Sequence, residues 1–183
     1  MSVNKKNNQV KRLCYAALGA AFLTVCSWIC IPLGQIPLTF QTLALCLICA
    51  TLGGKIGTLA TAAYLALGFI GVPVFAGFTG GAAKLLSSTG GYLLGFLVAA
   101  PLIGVATSKK TRWSALAVGM TMGIFVSYAI GTAWFMILCF SGGETLGLGV
   151  ALTTCVLPYL PFEMVKIGLA APLASRLKKT LNL

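Results

Sequence analysis

Residues 146–177 read LGLGVALTTCVLPYLPFEMVKIGLAAPLASRL, an apolar run that carries a glutamate and a lysine near its centre. The acid, Glu163, is one of only two acidic residues in the chain, and Lys166 follows it three positions later. A lysine or an acid at the middle of a membrane helix costs roughly 2.5–3.5 kcal/mol, so such residues usually line a functional site. Helix positions i and i+3 share a face. We therefore expect the two side chains to point into one pocket, where they either neutralise each other or hold a polar ligand.

The composition of the chain predicts a membrane protein. Of its 183 residues, 58% are hydrophobic and 8% are charged, and the mean hydropathy is +0.99, whereas a soluble domain carries about 25% charged residues. We predict an all-α, polytopic protein with a single integral membrane domain, residues 1–183, embedded in a lipid bilayer. Several apolar runs approach the length of about 20 residues that a membrane helix needs. Six spans are predicted: Leu13–Ile31, Thr39–Leu52, Ile56–Ile70, Gly90–Thr107, Trp113–Phe140 and Leu146–Leu177.

The first apolar run follows basic residues, as the apolar part of a signal peptide does. It is longer than the roughly 7–15 residues of such a segment, and further spans come after it. We interpret it as a retained first helix.

The net charge of +11 predicts the orientation of the spans. Six spans put both ends on one side, and an N-in/C-in topology then leaves only Lys84 outside and Lys166 within the membrane. This arrangement follows the positive-inside rule, and the bases form no stripe among exposed aromatics that would predict nucleic-acid binding. We expect a basic cytoplasmic N-terminus (1–12), a six-helix bundle (13–177) and a cytoplasmic tail (178–183). The eleven cytoplasmic bases are Lys5, Lys6, Lys11, Arg12, Lys55, Lys109, Lys110, Arg112, Arg176, Lys178 and Lys179.

The residues that are missing exclude most enzymes. The chain has no histidine, and its two acids are glutamates, so a Ser-His-Asp triad and a histidine-based zinc site are impossible. A Ser–Lys or Cys–Lys nucleophile pair that uses Lys166 is conceivable, but the sequence places no nucleophile beside it. The Cys46-x-x-Cys49 pair is interpreted as two buried small hydrophobes. Gly54-Lys55 is not a nucleotide-binding P-loop, because Cys49 stands at the first glycine position and no Ser or Thr follows the lysine. We predict a protein that is not an enzyme, and any active transport would take its energy from an ion gradient or another subunit.

Polar groups near the predicted outer ends of the spans complete a candidate pocket. Thr39 and Gln41 begin the second span, and Thr89 and Tyr92 begin the fourth. Together with Glu163 and Lys166 they offer hydroxyls, an amide, an anion and a cation beside apolar walls, which suits a small amphiphile that bears a carboxylate. The alternative is an ion pair that only fixes the last helix in place.

The predicted outer segment 71–89 reads GVPVFAGFTGGAAKLLSST and is long, glycine-rich and apolar. Loops of this length are commonly lids or binding loops, and Phe75 and Phe78 would supply apolar walls. The alternative is a structural plug.

Three blocks of sequence resemble the BioY family, the biotin-binding S components of energy-coupling-factor (ECF) transporters. They are IPLTFQT (36–42), GVPVFAG (71–77) and TGGYLLGF (89–96), and their order and spacing match over nearly the whole chain. Two departures stand out. The family often has Gly-Pro where this chain has Ser87-Ser88, and it typically has an aspartate where this chain has Glu163.

The resemblance implies a six-helix S component of a bacterial cytoplasmic (inner) membrane that captures biotin from outside and needs no cofactor. Its implied partners are a membrane coupling subunit and two cytoplasmic ATPases. Lys166 and Glu163 would bind the polar ends of biotin, while Thr39, Gln41, Thr89 and Tyr92 would add hydrogen bonds or ring contact. The closing loop would include Phe75, Ala76 and Gly77. The small-residue face that docks the coupling subunit would be Ala16/Ala20 or Ala17/Ala21, both of which have the four-residue spacing that permits close helix packing.

Three other interpretations are compatible with the sequence. The chain is an S component for a different vitamin, a solitary carrier or channel that needs no ATPase partner, or a structural membrane subunit that binds no small molecule. The sequence leaves open which pole of the ligand meets Lys166; charge alone favours the carboxylate.

Overall fold

The backbone of so apolar a chain has to satisfy its hydrogen bonds internally, and helices do this within each segment. The structure, a computed structural model, describes residues 2–32, 36–143 and 147–181. Within these residues the chain forms eight helices and a small antiparallel hairpin in which Cys30 pairs with Thr39 and Ile31 with Leu38. The elements are α1 (Ser2–Trp28), β1 (Cys30–Ile31), β2 (Leu38–Thr39), α2 (Gln41–Leu52), α3 (Gly54–Phe69), α4 (Ala82–Leu85), α5 (Gly90–Thr107), α6 (Trp113–Ser141), α7 (Leu148–Cys155) and α8 (Leu160–Leu181).

The all-α membrane architecture predicted from the sequence is confirmed. Helix α5 has the predicted bounds, α6 extends one residue past its predicted end, and α3 begins two residues early and ends one residue early. Among the described residues, three helices, α1, α5 and α6, are long and apolar enough to cross a membrane.

The predicted boundary between the first two spans is wrong. Helix α1 ends at Trp28, and Ile31 lies in β1 instead of in the helix. Thr39, predicted to begin the second span, lies in β2, and α2 begins only at Gln41. The physical reason is the hairpin, because its pairing turns both segments away from helical geometry.

The predicted sixth span is broken. Helices α7 and α8 meet at an angle of 51° across a short break that contains Pro158. A proline cannot donate the backbone hydrogen bond that a continuous helix requires at its position. Leu146, the predicted start of this span, lies outside the described residues. At the other end α8 continues to Leu181, into the segment predicted to be a tail.

The lengths of the helices bear on the number of membrane spans. If α7 and α8 together form one span, four spans are long enough by length and composition. Helix α2 has 12 residues, about 18 Å at 1.5 Å per residue, which is shorter than a hydrocarbon core of about 30 Å. The count of six spans therefore stays a prediction.

One end of the bundle gathers the basic residues, and we call it the basic end. Lys11 and Arg12 of α1 lie beside Ile56 near the start of α3. The buried Lys178 side chain of α8 donates to the carbonyl oxygens of Thr107 (2.6 Å) and Lys110 (3.2 Å). The start of α1 and the end of α8 therefore lie at the same end, as an even number of spans requires.

Glycines allow the helices near the basic end to pack closely. Gly54, at the start of α3, lies against α5, and a Cβ placed on Gly104 would stand 2.1 Å from the backbone of Gly54. This contact fixes the α2–α3 turn beside the end of α5. The opposite end of the bundle holds the hairpin and the segment 71–89, and we call it the hairpin end.

Candidate substrate-binding site

A cavity at the hairpin end collects most of the residues that the sequence singled out. Its walls come from β2, α2, the 71–89 segment, α5, α6 and α8. Eight of the nine residues predicted to bind substrate line it: Thr39, Gln41, Phe75, Ala76, Thr89, Tyr92, Glu163 and Lys166. These residues therefore share one cavity, and their role in binding stays a prediction.

The Glu163–Lys166 pair lies in the wall of this cavity. Lys166 Nζ stands 2.7 Å from Glu163 Oε1, and each residue is only 5% exposed. Thr42 of α2 joins the pair, since its hydroxyl donates to Glu163 Oε1 (3.0 Å) and accepts from Lys166 Nζ (3.2 Å). The i, i+3 spacing on α8 produces this geometry, and Thr42 ties it to α2.

The pair keeps unused hydrogen-bonding capacity. Glu163 Oε2 is buried and accepts no hydrogen bond from the described residues. The ammonium of Lys166 has three N–H donors, of which Thr42 and Glu163 Oε1 take two. The Tyr128 hydroxyl of α6 belongs to the same polar cluster. The cluster therefore offers one donor and one acceptor beyond those it uses internally.

A second polar chain runs along the start of α2. The Thr39 hydroxyl donates to Gln41 Oε1 (2.9 Å), and Gln41 Nε2 donates to the Tyr64 hydroxyl (2.5 Å). Tyr64 is fully buried, and its ring meets that of Phe75 edge to face with centroids 5.4 Å apart. This chain orients the Gln41 amide and links α2 to the 71–89 segment.

The 71–89 segment is anchored at Phe75. The fully buried Phe75 ring fits against Gly68 of α3, where an added Cβ would stand 2.0 Å from Phe75 Cζ. Ser27 of α1 donates to the carbonyl oxygen of Val74, and Trp28 Nε1 donates to that of Pro73 (2.9 Å). The segment is thus held by α1 and α3 on one side and covers the cavity on the other.

The structure corrects the prediction about Phe78 and leaves that about Gly77 a prediction. Phe78 does not wall the cavity, because its side chain is 63% exposed and stacks on Trp28 with ring centroids 4.9 Å apart. Gly77 lies within the segment, as predicted, although it is not among the residues that line the cavity. It has a φ of 71°, a left-handed conformation that favours glycine, and it serves the tight turn that brings Phe75 N to the carbonyl oxygen of Thr79 (2.9 Å).

The predicted residues of α5 lie at the rim and wall of the cavity. The Thr89 hydroxyl is 3.1 Å from that of Ser87, and the Tyr92 hydroxyl is 3.3 Å from that of Thr132. The ring of Tyr92 meets that of Tyr128 edge to face, with centroids 5.8 Å apart.

Sequence reasoning missed several lining residues: Ile36, Pro37, Leu38, Thr42, Lys84, Leu93, Phe96, Ser127, Tyr128 and Tyr159. The sequence carried a signal for Lys84, which stood alone as the base predicted outside the membrane. Tyr128 had none, because a tyrosine in the middle of an apolar helix is ordinary.

The two small-residue faces proposed for helix α1 point in different directions. Ala16 and Ala20 are each 3% exposed and belong to the core of the bundle. Ala17 and Ala21 are exposed. Of the two predicted faces, Ala17/Ala21 is therefore the one that is accessible in this structure, and docking of a partner there stays a prediction.

The chain is similar in sequence to a family of known proteins and in fold to a solved structure. The model of the BioY family matches residues 2–183. The chain is 38% identical to the biotin transporter BioY of Thermotoga maritima over 93% of this chain and 97% of that protein, and 34% identical to a probable biotin transporter BioY of Pyrococcus horikoshii over 93% and 98%. The crystal structure of the S-component for biotin from an ECF-type ABC transporter superposes with a TM-score of 0.83, at 29% identity over 94% of this chain and 93% of that one.

Proposed function

The chain belongs to the BioY family, and from this and the geometry of the cavity we propose that it captures biotin at the hairpin end for uptake by an ECF-type transporter. The family consists of transport proteins, so the chain is a transport subunit and not an enzyme. Biotin joins a cyclic urea, fused to an apolar thioether ring, to an aliphatic chain that ends in a carboxylate. An apolar cavity with a few convergent polar groups suits such a ligand.

The observation that carries the proposal is the buried Glu163–Lys166 pair in the cavity wall. Its free N–H and its free carboxylate oxygen provide the matched donor and acceptor that a polar ligand group requires. Aromatic rings of Phe75, Tyr92 and Tyr128 supply apolar surface around it. A buried polar group without a partner costs about 1–3 kcal/mol, and a ligand that supplies the partner recovers this free energy.

The partners follow from the same proposal. We infer a membrane coupling subunit and two cytoplasmic ATPases, with the exposed Ala17/Ala21 face of α1 as the docking surface. Small residues let helix backbones approach closely within a membrane. The membrane would be the bacterial cytoplasmic membrane, with the basic end inside, since positively charged loops stay in the cytoplasm.

Equilibrium binding of labelled biotin to the purified protein in detergent tests the proposal. We expect biotin to bind and unlabelled biotin to compete, while riboflavin and thiamine do not. Uptake into vesicles should require the coupling subunit and ATPases in addition to this chain. Competition by another vitamin would identify an S component of different specificity, and uptake without the ATPases would identify a solitary carrier. A folded sample that binds none of these compounds would contradict the proposal.

A further inference from the structure

A second large space lies between α6 and the bent pair of helices α7 and α8. It is a groove of about 780 Å³, and we call it the α6–α8 groove. Tyr128 and Glu163 line both this groove and the candidate binding cavity, so they form the wall between the two. Phe125 and Met164 also line the groove and are largely exposed. The groove is therefore separate from the candidate site and opens to the outside of the bundle.

The lining of the groove favours an apolar occupant. Apart from the wall shared with the cavity, its polar side chains are Thr121 and Thr132. The Thr121 hydroxyl donates to the carbonyl oxygen of Ala117 (2.9 Å), and the Thr132 hydroxyl lies 3.3 Å from that of Tyr92. Both hydroxyls thus have partners within the protein. All other lining residues are glycine or carry aliphatic, thioether or phenyl side chains, so the groove offers mainly apolar contact.

The groove extends along the direction in which the chain crosses the membrane. Its lining on α6 begins at Ala117 and ends at Met136, a rise of about 28 Å at 1.5 Å per residue. This rise is close to the thickness of a hydrocarbon core, about 30 Å. Both of its walls, α6 on one side and α7 with α8 on the other, are apolar enough to cross a membrane. Lipid acyl chains surround such helices in a bilayer, so an acyl chain is the occupant that the groove meets.

The loop 108–112 joins the two walls at the basic end of the groove. Arg112 directly precedes α6, five positions before Ala117, which is about 8 Å along the helix at 1.5 Å per residue. The neighbouring carbonyl oxygen of Thr111 accepts a hydrogen bond from the Ser175 hydroxyl of α8 (2.6 Å). The loop is therefore held against α8 next to the end of the groove.

This loop is strongly basic. Lys109, Lys110 and Arg112 are all exposed. Within the described ranges the one acidic side chain is that of Glu163, which is paired with Lys166, so no described acid neutralises the loop. Basic residues next to a membrane helix attract the phosphates of anionic lipids. The apolar groove and the basic loop at its end thus complement the two parts of an anionic phospholipid.

We propose that the α6–α8 groove binds one anionic phospholipid, with an acyl chain in the groove and the phosphate at the loop 108–112. The lipid comes from the leaflet at the basic end. Its chain covers the outer side of the wall that Tyr128 and Glu163 form, and it keeps water away from that side of the buried ion pair.

The proposal is tested by lipid binding to the purified full chain in detergent, measured by native mass spectrometry. The lipids are phosphatidylglycerol and phosphatidylcholine with the same acyl chains, of which only the first has a net negative charge. Ala129→Phe/Ala133→Phe fills the groove from two exposed positions of α6. Ala66→Phe, at an exposed position of α3 that does not line the groove, is its control.

A second pair of variants tests the charge. Lys110→Gln/Arg112→Gln removes two charges from the loop 108–112 and leaves its backbone hydrogen bonds to α8 in place. Lys55→Gln is the control, since it removes an exposed charge at the basic end but beside α3.

We expect the wild type and both controls to retain one phosphatidylglycerol per chain and to prefer it to phosphatidylcholine. Filling the groove should weaken binding of both lipids by about tenfold, because the apolar contact of the chain is lost. A basic residue beside an anionic lipid changes affinity by about fivefold. Lys110→Gln/Arg112→Gln should therefore lower the affinity for phosphatidylglycerol about twentyfold and leave that for phosphatidylcholine unchanged.

Equal affinities of the wild type for the two lipids would overturn the proposal, and so would a groove variant that retains phosphatidylglycerol as the wild type does. A wild-type dimer that Ala129→Phe/Ala133→Phe separates into monomers would also overturn it, because a second copy of the chain would then cover the groove. Thermal unfolding shows whether each variant is folded. If the double groove variant is not, the single variant Ala133→Phe carries the same expectation.

Discussion

Removal of the Lys166 charge should lower the stability of the protein, because the Glu163 carboxylate would remain buried without its cation. In Lys166→Met the Glu163 carboxylate, which is buried in the wild type, loses its ammonium partner and keeps the hydrogen bond that it accepts from the Thr42 hydroxyl. Breaking a buried ion pair by removing one partner destabilises a protein by about 3–5 kcal/mol, because an uncompensated charge remains. We expect a loss of stability of this order in Lys166→Met.

The double variant Glu163→Gln/Lys166→Met separates stability from binding. It leaves no buried charge at the site, and replacing a buried pair by neutral residues is often close to neutral for stability. We therefore expect its unfolding temperature to return close to that of the wild type. If the pair binds the ligand, biotin affinity is lost in the single and double variants alike.

A matched control exists on the same helix. Lys178 is also buried, but its ammonium donates to carbonyl oxygens at the basic end, far along α8 from the cavity. Lys178→Met should lower the unfolding temperature and leave biotin binding unchanged. The assay is thermal unfolding in detergent alongside equilibrium binding of labelled biotin. Biotin affinity of wild-type strength in the stable double variant would refute the reasoning and make the pair a device that only fixes α8 against α2.

Three further predictions concern other parts of the fold. Gly68→Ala should displace Phe75 and weaken biotin binding, since over-packing costs about 1–3 kcal/mol. Gly168→Ala is the control, because its added Cβ would have no neighbouring atom within 4 Å, and it should leave biotin binding unchanged. Equal affinities of the two variants for biotin would contradict this prediction. Ala17→Leu on the exposed face of α1 should block ATP-driven uptake but not biotin binding, while Ala20→Leu, in the core, should lower the unfolding temperature. A fluorescent protein fused to the C-terminus should fold and fluoresce, as cytoplasmic fusions do, and activity of an alkaline phosphatase fused there would contradict the N-in/C-in topology.

The long helices were predictable because their signals are local. Helix α5 begins at a glycine pair after Thr89 and ends before Ser108 and two lysines, so the residues next to each boundary predict it. The end of α1 is different. It is set by pairing of Cys30 with Thr39, nine positions away, and such pairing leaves no periodic pattern in an apolar run. The predicted end of the first segment and the predicted start of the second were therefore wrong.

Some residues of the candidate site were likewise predictable from local sequence, and others were not. Charged and amide groups inside apolar runs were found, because their presence there is costly and so informative. Thr42 was missed because it is adjacent to Gln41 on α2, and neighbouring helix positions do not normally share a face. Both nevertheless line the cavity, with Gln41 directed to Tyr64 and Thr42 to the ion pair. The packing of α2 against α8 and α3 determines which partner each side chain meets, and no local sequence pattern predicts that packing.

The chemistry of the pair argues against a purely structural role. Helix α8 is fixed near its other end by Lys178, and apolar residues such as Ala170, Ala171 and Ala174 are fully buried along it. Further attachment to α2 needs no charges, since apolar residues of similar size would stabilise the contact as well or better. One buried carboxylate oxygen of the pair also accepts no hydrogen bond from the part of the chain that the structure describes, which a structural device would avoid. A site that binds a ligand with complementary donors and acceptors accounts for the charges, for the unused oxygen and for their position on the cavity together.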